Sequence, residues 1–179
     1  VTVPLVLLSY WNPIARYGNG SLEPGPFVRA AQRAGVSGII VPDLPPEEAA
    51  SFRRAAHRYD VAPVFLAAPT SPASRLRRIA RASEGFIYYV SVTGTTGVRK
   101  RLPAELAHHL RQVRLMTTKP ICVGFGISTP AQAAAAARLA DGVIIGSALI
   151  RALEPHLAHP ARLVRQAQAF VRRFRRVVG

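Results

Sequence analysis

Six continuous apolar runs punctuate the chain: "VPLVLLSY" (3–10), "SGIIVPDL" (37–44), "VAPVFLAA" (61–68), "EGFIYYVS" (84–91), "KPICVGFG" (119–126) and "ADGVIIGS" (140–147). None alternates apolar with polar, which is the pattern of parallel strands buried on both faces. The segments between them carry helical spacing. In "FVRAAQRAG", Phe27, Val28, Ala31 and Ala34 share one face and Gly35 stops the helix; in "PEEAASFRRAAHRY", acids fill the first turn and arginines the later ones, as the helix dipole favours. Strand and helix thus alternate six times, which predicts a parallel α/β fold, and an open doubly wound sheet and a closed barrel both fit. No linker interrupts the series, so residues 1–179 read as one domain, with "GNGSLEPGP" (18–26) as an enlarged loop after the first strand. The last segment places Leu163, Ala167, Phe170, Val171, Phe174 and Val178 on one stripe with arginines opposite, a helix that packs against its neighbours or, as the alternative, lies on a membrane surface or binds a partner.

Composition narrows this picture. A chain of 179 residues, 49% hydrophobic, is long and apolar enough for a full core. No run approaches the roughly 20 uninterrupted apolar residues of a membrane span, and no export signal is visible. The single cysteine, Cys122, lies in the apolar run "PICVGFG" and reads as a small buried hydrophobe, so a reducing, cytoplasmic setting is expected. Lys and Arg number 24 against 9 Asp and Glu, a formal charge of +15 that would attract polyanions. The basic residues are spread over helix-like segments without zinc-finger spacing or aromatic RNA-binding motifs, so specific nucleic-acid binding is not expected. No His, Cys and carboxylate cluster suggests a metal, and His108 and His109, being adjacent, point apart. The chain opens at Val1 directly on a strand-like run, which carries the expectation that a segment upstream is absent.

Chemistry in either parallel architecture gathers at the carboxyl ends of the strands. Three successive ends share an unusual composition: "VTGTTG" after the fourth run, "GFGIST" after the fifth and "GSALI" after the sixth. Glycines let backbone approach a ligand closely, and free N–H groups at a helix start hold an anion without a charged side chain. Gly94 and Gly97 would supply flexibility and donors, Thr95 or Thr96 a hydroxyl, and Ser147 the start of a helix. Three such loops predict a phosphate site.

The motifs "PDLPPEEA", "FLAAPTSP", "GFIYYVSVTGTTG", "GFGISTPAQA" and "ADGVIIGSAL", in this order, resemble the tryptophan synthase α-subunit family from about Val3 to Leu153. The resemblance implies a (β/α)8 TIM barrel of which this chain holds units three to eight, the N-terminal two βα units being absent. It implies that Thr96 and Gly97 belong to a loop closing over substrate and that Gly126, Gly146 and Ser147 grip the phosphate. Tyr88 would lie beside the reacting glycerol chain, Phe125 against the indole ring, Leu8 and Tyr10 along the indole pocket, and Asp43 in the loop network near the subunit contact.

The activity implied is the retro-aldol cleavage of indole-3-glycerol phosphate to indole and glyceraldehyde 3-phosphate in tryptophan biosynthesis. The chain would pair, in a heterotetramer, with a β subunit that carries the pyridoxal phosphate, no cofactor being held on this chain. Breaking that carbon–carbon bond needs two carboxylates of different protonation behaviour, and the family's glutamate and aspartate would lie upstream of Val1. The acids present are Glu23, Asp43, Glu47, Glu48, Asp60, Glu84, Glu105, Asp141 and Glu154, and among them Asp43 alone sits at a strand end of the catalytic face. The catalytic residues are therefore unassigned, and the polypeptide alone is expected to lack lyase activity. Two other readings fit the residues: a stand-alone indole-3-glycerol-phosphate lyase, and a non-catalytic barrel remnant that binds phosphate or polyanions.

Overall fold

A computed structural model describes residues 3–18, 22–90, 105–124 and 126–178. Its strands are β1 (Leu5–Leu8), β2 (Val36–Ile40), β3 (Ala62–Val64), β4 (Leu66–Ala67), β5 (Ile87–Val90), β6 (Ile121–Gly124) and β7 (Gly142–Ile144). The helices are α1 (Trp11–Arg16), α2 (Gly25–Arg33), α3 (Ala50–Arg58), α4 (Ala73–Ala82), α5 (Leu106–Arg114), α6 (Pro130–Ala137), α7 (Ser147–Leu153) and α8 (Pro160–Val178). Every described strand pairing is parallel, in the order β1-β2-β3 and β4-β5-β6-β7.

The third apolar run supplies two strands instead of one. Phe65 separates them because its N–H donates to the buried Ser83 Oγ (3.1 Å) and so leaves the ladder, while its carbonyl accepts from Tyr88 N–H (3.2 Å). β3 pairs with β2 and β4 with β5, so one run stitches the two sheets into an array that follows chain order from end to end. A doubly wound sheet reverses its order at a switch point, whereas a barrel does not. The unreversed order makes this a barrel-type wall.

Alternation along the strands explains its two faces. Ile39, Phe65, Ala67, Ile87, Tyr89, Ile121 and Val123 are buried in one cluster with Ile14, Val28, Phe52, Ile79, Leu110 and Val113 of the helices. Their neighbours in sequence point to the other side. Val6, Gly38 and Ala62 are in register there and touch, as do Cys122 and Gly142. A second cluster joins Phe174 of α8 to Ile127, Ala133 and Ala136, and Phe170 stacks on Phe174 at 4.6 Å. The last helix packs on its neighbours, as its stripe predicts, although Val171 and Val178 stay exposed because they fall past the edge of the contact.

The amino ends of the strands are held by polar contacts. Lys119 Nζ donates to the carbonyls of Ala80 (2.7 Å) and Ser83 (2.6 Å), satisfying the C-terminus of α4 where a cation is favoured. Asp141 accepts the Ile121 N–H at 2.8 Å and pairs with Arg114, tying the start of β6 to the start of β7.

Several local expectations shift. Glu47 and Glu48 precede α3, which begins at Ala50 and has no acid in its first turn; Glu47 instead pairs with Arg78 at 3.0 Å. Ala34 caps α2 and is exposed, so the buried face of that helix is Val28 and Ala31. The helix α1 intervenes between the first strand and the enlarged loop. Cys122 is only half-buried, because strand alternation turns it away from the helices.

Candidate functional site

Parallel strands place all their carboxyl ends on one side, so those of β1, β2, β4, β5, β6 and β7 share a rim. At β5 the side chains of Ile87 and Tyr89 go outward to the helices and Tyr88 goes to the opposite face. Its ring crosses to β6 and lies over Gly124, where a Cβ would come 2.7 Å from Tyr88 Cζ. Only a residue without a side chain leaves room for that ring. A tyrosine phenol is protonated and able to donate a hydrogen bond at neutral pH, and burial pushes that of Tyr88 further above its ordinary pKa.

Beyond β6, Gly126 has φ +43, a left-handed conformation that glycine adopts without strain. Two later amides of that loop are already committed. Gln132 Oε1 accepts from Ser128 N–H (2.9 Å), Ser128 Oγ (3.1 Å) and Thr129 N–H (3.1 Å), while Thr129 Oγ1 accepts from Gln132 N–H (3.3 Å). This reciprocal cap, read from the sequence as part of an anion loop, commits two of its amides to starting α6. On the next strand, Gly146 precedes α7 and its carbonyl closes the first turn by accepting from Leu149 (2.9 Å) and Ile150 (3.2 Å). The N–H groups of Ser147 and Ala148 precede the first intrahelical acceptor, as they do at any helix start.

The other half of the rim is joined by a carboxylate. Asp43, three residues beyond β2, accepts the Trp11 N–H at 2.8 Å and so links the loops after β1 and β2. Tyr10 caps α1 and is 63% exposed, and Leu8, in register with Ile40, is 57% exposed. Beside them lies a cavity of about 160 Å³ lined by Pro42, Asp43, Leu44, Phe65, Leu66 and Arg75, among others. Arg75 also helps to hold the Glu47 carboxyl below its usual range, behind the larger effect of a backbone hydrogen bond.

Residues 1–178 match the family described as tryptophan synthase alpha chain. The chain belongs to that family. It is 46% identical over 177 residues to the tryptophan synthase alpha chain of Geobacter sulfurreducens, an alignment that covers 99% of this chain and 64% of that one. Its fold is similar to that of tryptophan synthase subunit alpha from Legionella pneumophila, with TM-score 0.81 at 33% identity over 98% of this chain and 62% of the other. The tryptophan synthase α2β2 complex of Pyrococcus furiosus contains a chain matched with TM-score 0.78 at 35% identity, over 98% and 65%. The chain thus spans less than two thirds of the length of these relatives. With the unreversed strand order, the family places the wall in the (β/α)8 TIM-barrel class.

Of the family-implied residues, Tyr88 lies on β5 while Gly126, Gly146 and Ser147 lie just beyond the carboxyl ends of the adjacent β6 and β7, and Leu8, Tyr10 and Asp43 lie at the part of the rim formed by β1 and β2. Thr96, Gly97 and Phe125, with Gly94 and Thr95, lie outside the described residues. Sequence reasoning missed Gly124, Leu66, Pro42 and Arg75. Gly124 shows no signal until the Tyr88 ring is placed over it. Leu66, in register with Tyr88, was legible from the two-residue period of the third run, had the break at Phe65 been foreseen.

Proposed function

We propose that the chain forms the phosphate- and indole-binding portion of an enzyme that cleaves indole-3-glycerol phosphate to indole and glyceraldehyde 3-phosphate in tryptophan biosynthesis. Membership of the family carries this reading, and the placement of Tyr88 against Gly124 beside the Gly126 and Gly146–Ser147 turns supports it. In it, the ester phosphate lies against backbone at Gly126 and Gly146 and the hydroxyl of Ser147. The loop carrying Thr96 and Gly97 covers it, Phe125 meets the indole ring, and Leu8, Tyr10, Leu66 and Pro42 line the apolar end. Tyr88, its phenol protonated at neutral pH, faces the glycerol chain.

The cleavage itself breaks the bond between indole C3 and the glycerol chain, adds a proton to C3, and removes one from the neighbouring hydroxyl as the aldehyde forms. Both transfers need positioned acids and bases. Of the chain's nine acids, Asp141 is paired at the amino ends of β6 and β7, Glu47 is paired with Arg78, and Asp43 holds the Trp11 N–H. Among the described residues no hydrogen bond or ion pair joins a carboxylate to Tyr88, and binding without turnover is the behaviour we assign to these 179 residues. The whole of residues 1–179 is read as one barrel-wall domain, acting in the cytoplasm. Its partner is a tryptophan synthase β subunit, the type of assembly named for the Pyrococcus complex, and the pyridoxal phosphate resides on that partner.

The test is titration of the purified chain with glycerol 3-phosphate and with indole-3-glycerol phosphate, alongside an assay for released indole. Saturable binding with no indole is expected, and Ser147→Ala should weaken it about 10-fold or more, the loss for a hydrogen bond to a charged group. Indole release by this chain alone would overturn the non-catalytic assignment. Absence of any binding would overturn the phosphate site.

A further inference from the structure

The lyase reading leaves the +15 charge unused, and its largest share on any described helix stands on α8. From residue 142 to the end there are seven arginines and one acid, Glu154. α8 contains no acid at all. At 100° per residue, Arg162, Arg165, Arg172, Arg173 and Arg176 fall within one arc of about 100°, and the span from the first to the last is about 21 Å along the axis. All five are exposed. None forms an ion pair with any described residue.

Two features make this more than a wet surface. First, the array is held rigid. Phe174 is 5% exposed against Ile127, Ala133 and Ala136, and Phe170 stacks on it, so the helix cannot roll and the arginine face is fixed outward. Second, it is costly to the helix. Arg162/Arg165, Arg173/Arg176 and Arg172/Arg176 are like-charge neighbours at spacings of three and four, where a stabilised solvent face would alternate Glu with Arg or Lys. The repulsion is relieved by a polyanion lying along the stripe. Ala169, in the middle of the arc, adds no bulk to keep a phosphate away.

We propose that the arginine face of α8 binds the phosphate backbone of nucleic acid without reading its sequence. Arginine forks match phosphate oxygens in pairs, and duplex DNA offers one charge per about 1.7 Å of axis, so the stripe spans some twelve phosphate charges. A membrane surface is a poorer match, because the aromatic side chains Phe170 and Phe174 face inward and the apolar residues left exposed on the helix, Val164, Val171, Val177 and Val178, include none of the Trp, Phe or Leu that anchor a surface helix in lipid. This inference does not depend on the lyase reading.

The experiment measures the affinity of the chain for a fluorescent 20-base-pair DNA duplex of arbitrary sequence between 50 and 200 mM salt. Five phosphate contacts give a slope of log K against log salt near −4.5, a loss of about 500-fold over that range. The variant with Arg162, Arg165, Arg172, Arg173 and Arg176 all changed to Gln should flatten the slope by about 4. A control with Arg29, Arg53, Arg54, Arg77 and Arg81 changed to Gln removes the same charge from other helices and should change it by less than about 1. The five-fold Arg→Lys variant should keep most of the slope. Should the five-fold Gln variant lose its helical circular dichroism, the pairs Arg162/Arg165→Gln and Arg172/Arg173→Gln replace it, each lowering the slope by about 2. Equal losses in the α8 and control variants would show attraction by net charge alone and overturn the proposal. So would an unchanged slope in the α8 variant, no binding at 50 mM salt, or tighter binding to phosphatidylglycerol vesicles than to the duplex.

Discussion

Tyr88 and Tyr89 are the same side chain one position apart on β5, and the strand sends them to opposite faces. Tyr89 is 1% exposed among the helices, its hydroxyl has no hydrogen-bond partner among the described residues, and burial pushes its pKa up to about 12. Tyr88 is half-buried, its ring pressed over a glycine on the next strand, at the rim where the glycine turns gather. The outward residue is held for its volume and the inward one for its position. That division runs along the whole wall: Ile87, Ile121 and Val123 fill the layer under the helices, while the other face carries Tyr88, Cys122 and two glycines that make room for them.

Truncation separates the two roles most strongly. Tyr89→Ala empties a fully buried site and should cost about 3–5 kcal/mol in chemical denaturation, enough to threaten folding. Tyr88→Ala should cost less than half of that and instead abolish binding of glycerol 3-phosphate esters. Equal destabilisation by both changes would erase the proposed division. Tyr89→Phe sharpens it: removing an unpartnered buried hydroxyl should leave stability unchanged or raise it by up to about 1 kcal/mol.

A smaller effect is expected across the strand pair. Gly124→Ala puts a methyl group into the Tyr88 ring, and crowding of that kind costs about 1–3 kcal/mol. The ring must turn away, so ligand affinity should fall with stability. Adding Tyr88→Ala should return most of the lost stability without restoring binding, a non-additive pair by thermal melts of the four chains. Strict additivity would mean that the two residues are not in contact.

The strand–helix alternation was legible because burial on both sides leaves unbroken apolar runs. Their pairing order was not, since open sheet and barrel share one local pattern and differ only in which strands meet. The break at Phe65 was equally hidden, for it depends on Ser83, eighteen residues on, taking an amide that a strand would use. At the site, Gly126 and Gly146–Ser147 could be found from composition, whereas Gly124 and Arg75 acquire meaning from neighbours distant in sequence. "GFGIST" shows the limit of composition: Gly126 is an open turn, yet Ser128 and Thr129 have their amides committed to Gln132, a capping box that the same letters also spell.

The smallest expected effect lies at the opposite end of the strands, where only stability is at stake. Asp141 is held below its ordinary pKa of 3.8, first by the Ile121 N–H and then by Arg114. A carboxylate with a depressed folded pKa adds stability that is complete above its unfolded value and disappears as the pH falls through the folded one. Its side chain is 44% exposed, so solvent screening keeps the ion-pair part within about 1 kcal/mol. Asp141→Asn should therefore lower the urea midpoint slightly at pH 7, with the difference from the parent chain closing below about pH 4 and gone once the acid is protonated in the folded state. Added salt at pH 7 should remove the Arg114 share and leave the Ile121 hydrogen bond. A gap that widened on acidification would place the stabilising proton on the wrong side of the equilibrium and refute the anchoring of β6 to β7 by a charged Asp141.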